Sequence, residues 1–154
     1  MAKRGYRILS EAAFIAALRQ RSMRATAQRL AVHRAMCQLE HASADIVYEA
    51  VKKNYPEVKI STASVYNILT ELSDKGIYSH RLSSTGKMTF DAIRTPHLHI
   101  YDMVLDEFVN VEDEALMQII EEHFAGRRFR GYNIDHIDIN IVSRPTKYKL
   151  KKKK

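Results

Sequence analysis

The chain has 154 residues, 45% of them hydrophobic, with a formal net charge of +7 and a single cysteine, Cys37. That balance argues for a packed core over disorder, arranged as one ordinary domain or two small ones. It excludes a disulfide framework within the chain. No apolar run approaches the roughly 18 residues that a membrane span needs. The N-terminus starts basic but shows no apolar leader or cleavage site, so a cytoplasmic protein with no membrane partner is expected.

The charge is unevenly placed. Residues 1–94 carry a net +7, residues 95–143 a net −7, and residues 144–154 a further +7. A basic half joined to an acidic half points to two modules with different partners. A basic module suits nucleic acid, because neutralising phosphates releases counterions. A solvated charged surface is the plainer account of the same numbers.

In chain order, Ser10 caps a first helix with Phe14, Ile15 and Leu18 on one face. Thr26 caps a second, running to about Leu39, with Leu30, Val32, Met36 and Leu39 inward and Cys37 read as a core residue. Ser43 caps a third that starts near His41, buries Ile46, Val47, Ala50 and Val51, and stops at Pro56. Ser61 or Thr62 caps a fourth, with Val65, Ile68, Leu69 and Leu72 as its apolar stripe and Gly76 as its stop.

The period then changes from helical to alternating. "IYSHRL" and "KMTFDAI" flank the turn "SSTGK" and read as a β-hairpin. Helices followed directly by a hairpin give the order of a winged helix, whose last helix reads DNA. "RTP", residues 94–96, reads as a hinge. Beyond it come strands "HLHIYDMVL" and "EFVNV", helix "EDEALMQIIEEHF" and strand "YNIDHIDINIV". This β-β-α-β unit is small enough to need help, and dimerisation through a sheet edge is the obvious source.

The stretch from Pro96 to Phe108 holds His97, His99, Asp102, Asp106 and Glu107. Imidazole and carboxylate together suit a transition metal. Alternating polar residues equally describe the wet face of a strand, and the residues alone leave both readings open.

Five segments in order, "RATAQRLAV", "HASADIVYEAVKKNYP", "TASVYNILTELSDKGI", "MTFDA" and "HLH", resemble the ferric uptake regulator family of metal-dependent transcriptional repressors, across roughly residues 10–142. The resemblance implies an α+β fold. Its parts are an N-terminal winged-helix DNA-binding domain (residues 1–93), a hinge (94–96) and a small C-terminal α/β dimerisation domain (97–143). A basic tail (144–154), expected to be disordered, follows. It implies a homodimer that binds A/T-rich inverted repeats in double-stranded DNA when loaded with Fe²⁺, Mn²⁺ or Zn²⁺.

The resemblance carries site residues with it. Arg24 falls where a basic residue enters the minor groove, and Arg29 joins it as a DNA contact. Tyr66 and Asn67 fall on the recognition helix, with Thr62 and Ser64 near its start, where phosphates bind well. His41, Asp91, His97 and His99 fall on the regulatory metal site, which clamps the hinge. Asn110 stands where a further carboxylate is usual and is a poorer, neutral donor; Glu112, Asp102 or water could complete the shell. Glu114, His123, Asp135 and His136 lie in the region of a second site. Asp102 and Leu105 stand where most members carry C-x-x-C, so no structural Cys₄ zinc site is expected. Haem ligation by His97 or His99 is an alternative with little support, since no Cys-Pro motif is present.

No nucleophile elbow, Gly-rich phosphate loop or H-E-x-x-H points to an enzyme. The chain therefore reads as a metal-responsive repressor. The alternative is a metal-independent, haem-responsive or peroxide-responsive regulator of the same fold.

Overall fold

A computed structural model describes residues 8–134 and 136–146. They fall into two compact units that divide between Thr95 and Pro96. The fold is α+β throughout.

In the first unit, α1 (Glu11–Gln20) starts at Ser10, whose hydroxyl accepts from the Ala13 amide. The second helix, α2 (Ala27–Leu39), starts at Thr26, which accepts from the Arg29 amide. Two further helices follow, α3 (Ala44–Asn54) and α4 (Thr62–Asp74), the latter capped by Ser61. Their inward stripes meet in one core containing Phe14, Leu18, Val32, Met36, Val47, Val51, Leu69 and Leu72. Each such side chain, fully buried, contributes about 1.5–3 kcal/mol relative to an exposed one. Arg34 grips Glu11 through Nε and Nη2 at 2.6 and 2.8 Å and ties α2 to α1 at the surface.

Three strands complete the unit: β1 (His41–Ala42), β2 (Ser79–Leu82) and β3 (Met88–Asp91). They form an antiparallel sheet in the order β1-β3-β2. Gly86, at φ 84°, supplies the left-handed residue that closes the β2–β3 turn. Helices α1 to α4 followed by this hairpin make a winged helix.

The second unit contains β4 (Leu98–Asp102), β5 (Glu107–Val111), α5 (Glu114–Phe124) and β6 (Asn140–Ser143). The sheet order is β5-β4-β6, with β5 antiparallel and β6 parallel to β4. Asp113 caps α5 by accepting from the Leu116 amide. The core here is small: Leu98, Tyr101, Phe108 and Met117 are buried.

Several expectations are corrected. His41 does not start α3. Glu40, at φ 64° and ψ −56°, ends α2 and turns the chain so that His41 and Ala42 run extended against the wing before α3 begins. Ser43 occupies the cap position of α3, but its side chain accepts no amide there. Ile46 is 46% exposed, because α3 buries the stripe Ala44, Val47, Val51 and residue 46 projects off it. Cys37 is exposed, since α2 turns Ala31, Val32, Ala35 and Met36 inward instead. The last strand covers Asn140–Ser143 and not the longer alternating stretch from Tyr132. Asp135 and the Lys-rich residues 147–154 lie outside the described residues.

Candidate functional site

The start of α4 is open to solvent. Thr62, Tyr66 and Asn67 are all exposed there, and Ser64 is half-buried. Tyr66 is fixed by its neighbour: its ring meets the Phe90 ring of β3 edge-on, centroids 6.1 Å apart. Ser64 Oγ lies 2.9 Å from Ser61 Oγ, so its hydroxyl belongs to the helix cap.

Arg24 is exposed in the loop before α2. Arg29 points elsewhere. Its Nη2 lies 2.6 Å from Glu71 Oε2 on α4, and its Nη1 donates to the Arg24 carbonyl at 2.8 Å. Both terminal nitrogens of Arg29 are thus engaged within the protein, and the contact to the Arg24 carbonyl braces the loop that carries Arg24. A second brace runs from Gln28 Nε2 to the Lys59 carbonyl at 2.7 Å and ties the start of α2 to the loop before α4. Sequence reasoning missed both braces, although "RATAQR" holds their α2 side; their partners are Glu71 on α4 and Lys59 in the α3–α4 loop.

The candidate metal ligands divide between the two units. In the first, His41 and Asp91 are register partners across β1 and β3. Asp91 is fully buried. Its Oδ1 accepts from the Ile93 amide at 2.8 Å, and its Oδ2 accepts from Arg81 Nη1 at 3.1 Å. Arg81 is a site residue that the sequence did not flag. It sits on the same face of the hairpin as Asp91, two residues along from Asp91's register partner Ser79, and its long side chain reaches back diagonally.

In the second unit, the His97 and His99 rings lie 4.5 Å apart, centroid to centroid. His99 is buried, with its register partner Asn110 on β5 and Asn140 opposite it on β6. Its Nδ1 lies 3.6 Å from Asp138 Oδ1. Asp138 is another residue the sequence did not single out. A carboxylate behind an imidazole orients the ring of a metal-ligating histidine. Glu112 is exposed, one residue beyond the end of β5. The donor chemistry of the two sets, imidazoles with one carboxylate, fits a divalent transition ion.

Asp102 and Leu105 occupy the two positions at which the resemblance would place zinc-binding cysteines. Asp102 is buried, and its Oδ1 accepts from the amides of Val104 and Leu105 at 2.9 and 3.0 Å. The Tyr101 hydroxyl donates to Asp106 Oδ1 at 2.7 Å. The β4–β5 turn is thus closed by carboxylates.

Comparison with known proteins places the chain among relatives of one family. The chain is 28% identical over 128 residues to the peroxide-responsive repressor PerR of Staphylococcus aureus (strain NCTC 8325 / PS 47), covering 82% of this chain and 83% of that one. Among solved structures, the ferric uptake regulator of Pseudomonas aeruginosa with manganese superposes with a TM-score of 0.69 at 21% identity, covering 86% of this chain and 97% of that one; it shows the shared fold. The Campylobacter jejuni peroxide stress regulator superposes with a TM-score of 0.65 at 25% identity, covering 86% and 96%. Residues 20–142 match the ferric uptake regulator family as a whole. The chain therefore belongs to the ferric uptake regulator family of metal-dependent transcriptional regulators.

Proposed function

We propose that the chain is a homodimeric, metal-responsive repressor, acting in the cytoplasm on A/T-rich inverted repeats. The observation that carries this reading is the split of the donor set. His41 and Asp91 stand side by side on the wing sheet, and His97 and His99 stand together at the head of the next unit, with five residues between Asp91 and His97. An ion held by both sets, Fe²⁺, Mn²⁺ or Zn²⁺, restrains the hinge at residues 94–96 and favours the arrangement of DNA-reading heads that fits the operator. Asn110 and Asp138 flank His99 and complete its surroundings; Glu112 is the weakest member of the set.

On the DNA side, Arg24 enters a narrow minor groove, whose potential favours a guanidinium. Tyr66 and Asn67 read base edges or methyls in the major groove, and Thr62 serves the phosphates at the helix start together with the backbone around Ser64, whose hydroxyl stays with the Ser61 cap. Exposed apolar residues on the second unit, Ile119 and Val142 among them, support self-association.

Gel shift on an A/T-rich palindrome tests the whole reading, with Mn²⁺ or Fe²⁺ and with chelator. Metal-dependent retention is expected, lost in Tyr66→Ala and Arg24→Ala with the dimer intact. Retention that ignores chelator moves the chain to a metal-independent regulator. The peroxide-responsive relative gives a second reading its support. Release of iron-loaded, but not manganese-loaded, protein from DNA by hydrogen peroxide would establish that signal.

A further inference from the structure

Histidine binds metal as a neutral imidazole, so Asp91 is the one formal negative charge among His41, Asp91, His97 and His99. Asn110, across from His99, adds none. That single charge is already matched from within the wing. Arg81 Nη1 lies 3.1 Å from Asp91 Oδ2, with Arg81 8% exposed and Asp91 fully buried, so little water screens the pair. Asp91 does not depend on Arg81 for its orientation, because the Ile93 amide holds the other oxygen at 2.8 Å and β3 is paired on both sides.

We infer that Arg81 is a resident counter-cation that competes with the regulatory metal for Asp91 and sets the metal affinity low. The inference rests on the reading of Asp91 as a ligand. A divalent ion on Asp91 meets a guanidinium already seated there. Either Arg81 withdraws, at the cost of a buried ion pair, or it stays and repels the incoming charge. Both routes weaken binding, and both vanish when the charge is removed. The protein then saturates only at a higher metal level than a site with an unopposed aspartate.

The test is Mn²⁺ titration of the full chain, read as free Mn²⁺ by electron paramagnetic resonance. Arg81→Gln keeps a donor near Asp91 Oδ2 without the charge; Arg81→Lys keeps the charge. Arg81→Gln should bind Mn²⁺ at least about tenfold tighter than wild type, and Arg81→Lys within about threefold of it, because a cation within hydrogen-bond distance of the ligand carboxylate repels the incoming ion at short range. Equal or weaker binding by a folded Arg81→Gln overturns the inference. If circular dichroism shows that variant unfolded, the wild type is titrated with Zn²⁺ and the Arg81 Nε–H resonance followed by NMR. A shift at saturation supports competition, and an unmoved signal overturns it. His97→Ala separates the two levels of the argument. Binding that persists in His97→Ala defeats the ligand assignment itself. Binding that needs His97 but ignores Arg81 defeats only the counter-cation.

Discussion

Arg29 bridges Glu71 and the Arg24 carbonyl with one guanidinium, at 2.6 and 2.8 Å, and so joins α2, α4 and the loop ahead of α2. The Arg29 and Glu71 side chains are 18% and 42% exposed, so the ion pair itself contributes at most about 1 kcal/mol. Its consequence is positional. The two arginines are therefore expected to behave differently on DNA. Arg24→Ala should lower the slope of log Kobs against log salt by about 1.8 for the dimer, about 0.9 for each protomer's lost cation. Arg29→Ala should weaken binding several-fold by loosening the loop, with the slope unchanged. Fluorescence anisotropy across a salt series measures both. An equal loss of slope in the two variants makes Arg29 a phosphate contact and defeats its positioning role.

The elements with long apolar stripes were readable because burial repeats every three or four residues, as at Val65, Leu69 and Leu72 of α4. What escaped has specific causes. Strand β1 is two residues long and exists because Glu40 takes a positive φ, which no periodicity signals. The expected last strand runs from Tyr132 onward in a largely alternating pattern, but a strand needs a partner. Within the pairing, β4 offers only His99 to Asp102, so only Asn140–Ser143 is paired. The polar geometry was least legible. Arg81 on Asp91, Asp138 beside His99 and Arg29 on Glu71 are contacts across 10, 39 and 42 positions, made by side chains whose residue type predicts a charge but not a partner.

Asp102 should stabilise the β4–β5 turn as a pure protein device. Its carboxylate is buried and accepts from two backbone amides, which Asp102→Ala would leave without acceptors. Loss of such partners costs about 1–3 kcal/mol. Thermal unfolding of Asp102→Ala should therefore fall by several degrees. Exhaustive chelation of the wild type should leave the far-ultraviolet circular dichroism unchanged, because carboxylates rather than zinc thiolates close this turn. A collapse of the spectrum on chelation would reveal a structural metal and refute this account.

His33 should make the winged helix acid-sensitive. Its ring stacks on Phe14 at 3.9 Å. Its Nε2–H donates to the Leu9 carbonyl at 2.9 Å, a group that only accepts, so Nδ1 accepts from the Tyr78 hydroxyl at 2.8 Å. The neutral ring satisfies both contacts. Burial holds its pKa below the ordinary value of 6.5 and pushes the Tyr78 phenol up. Above about pH 6.5 the residue is neutral whether folded or unfolded and has no effect. As pH falls below that, the unfolded chain takes the proton first. Stability then drops by up to about 1.4 kcal/mol per pH unit until the folded-state pKa is passed. His33→Gln keeps a donor and an acceptor without the titration, so its Tm should fall less steeply below pH 6.5. Identical Tm profiles for variant and wild type would assign the acid sensitivity to other groups.

The second unit leaves apolar side chains in water. Ile119 on α5 is 63% exposed and Val142 on β6 is 62% exposed, and β6 is an edge of its sheet. Edge strands bearing apolar residues invite pairing with another chain. A two-fold interface uses each residue twice, so one substitution acts at two places. Burying a valine or isoleucine contributes about 1.5–3 kcal/mol, and two copies therefore about 3–6 kcal/mol. Val142→Lys or Ile119→Lys should weaken the dimer by at least about 100-fold on that basis, since each 1.4 kcal/mol is tenfold. Sedimentation velocity at micromolar concentration should then show monomer, with the circular dichroism of the winged helix retained. If both variants sediment with the wild type, the partner copy covers some other face of the unit, and the edge of β6 is not where the dimer forms.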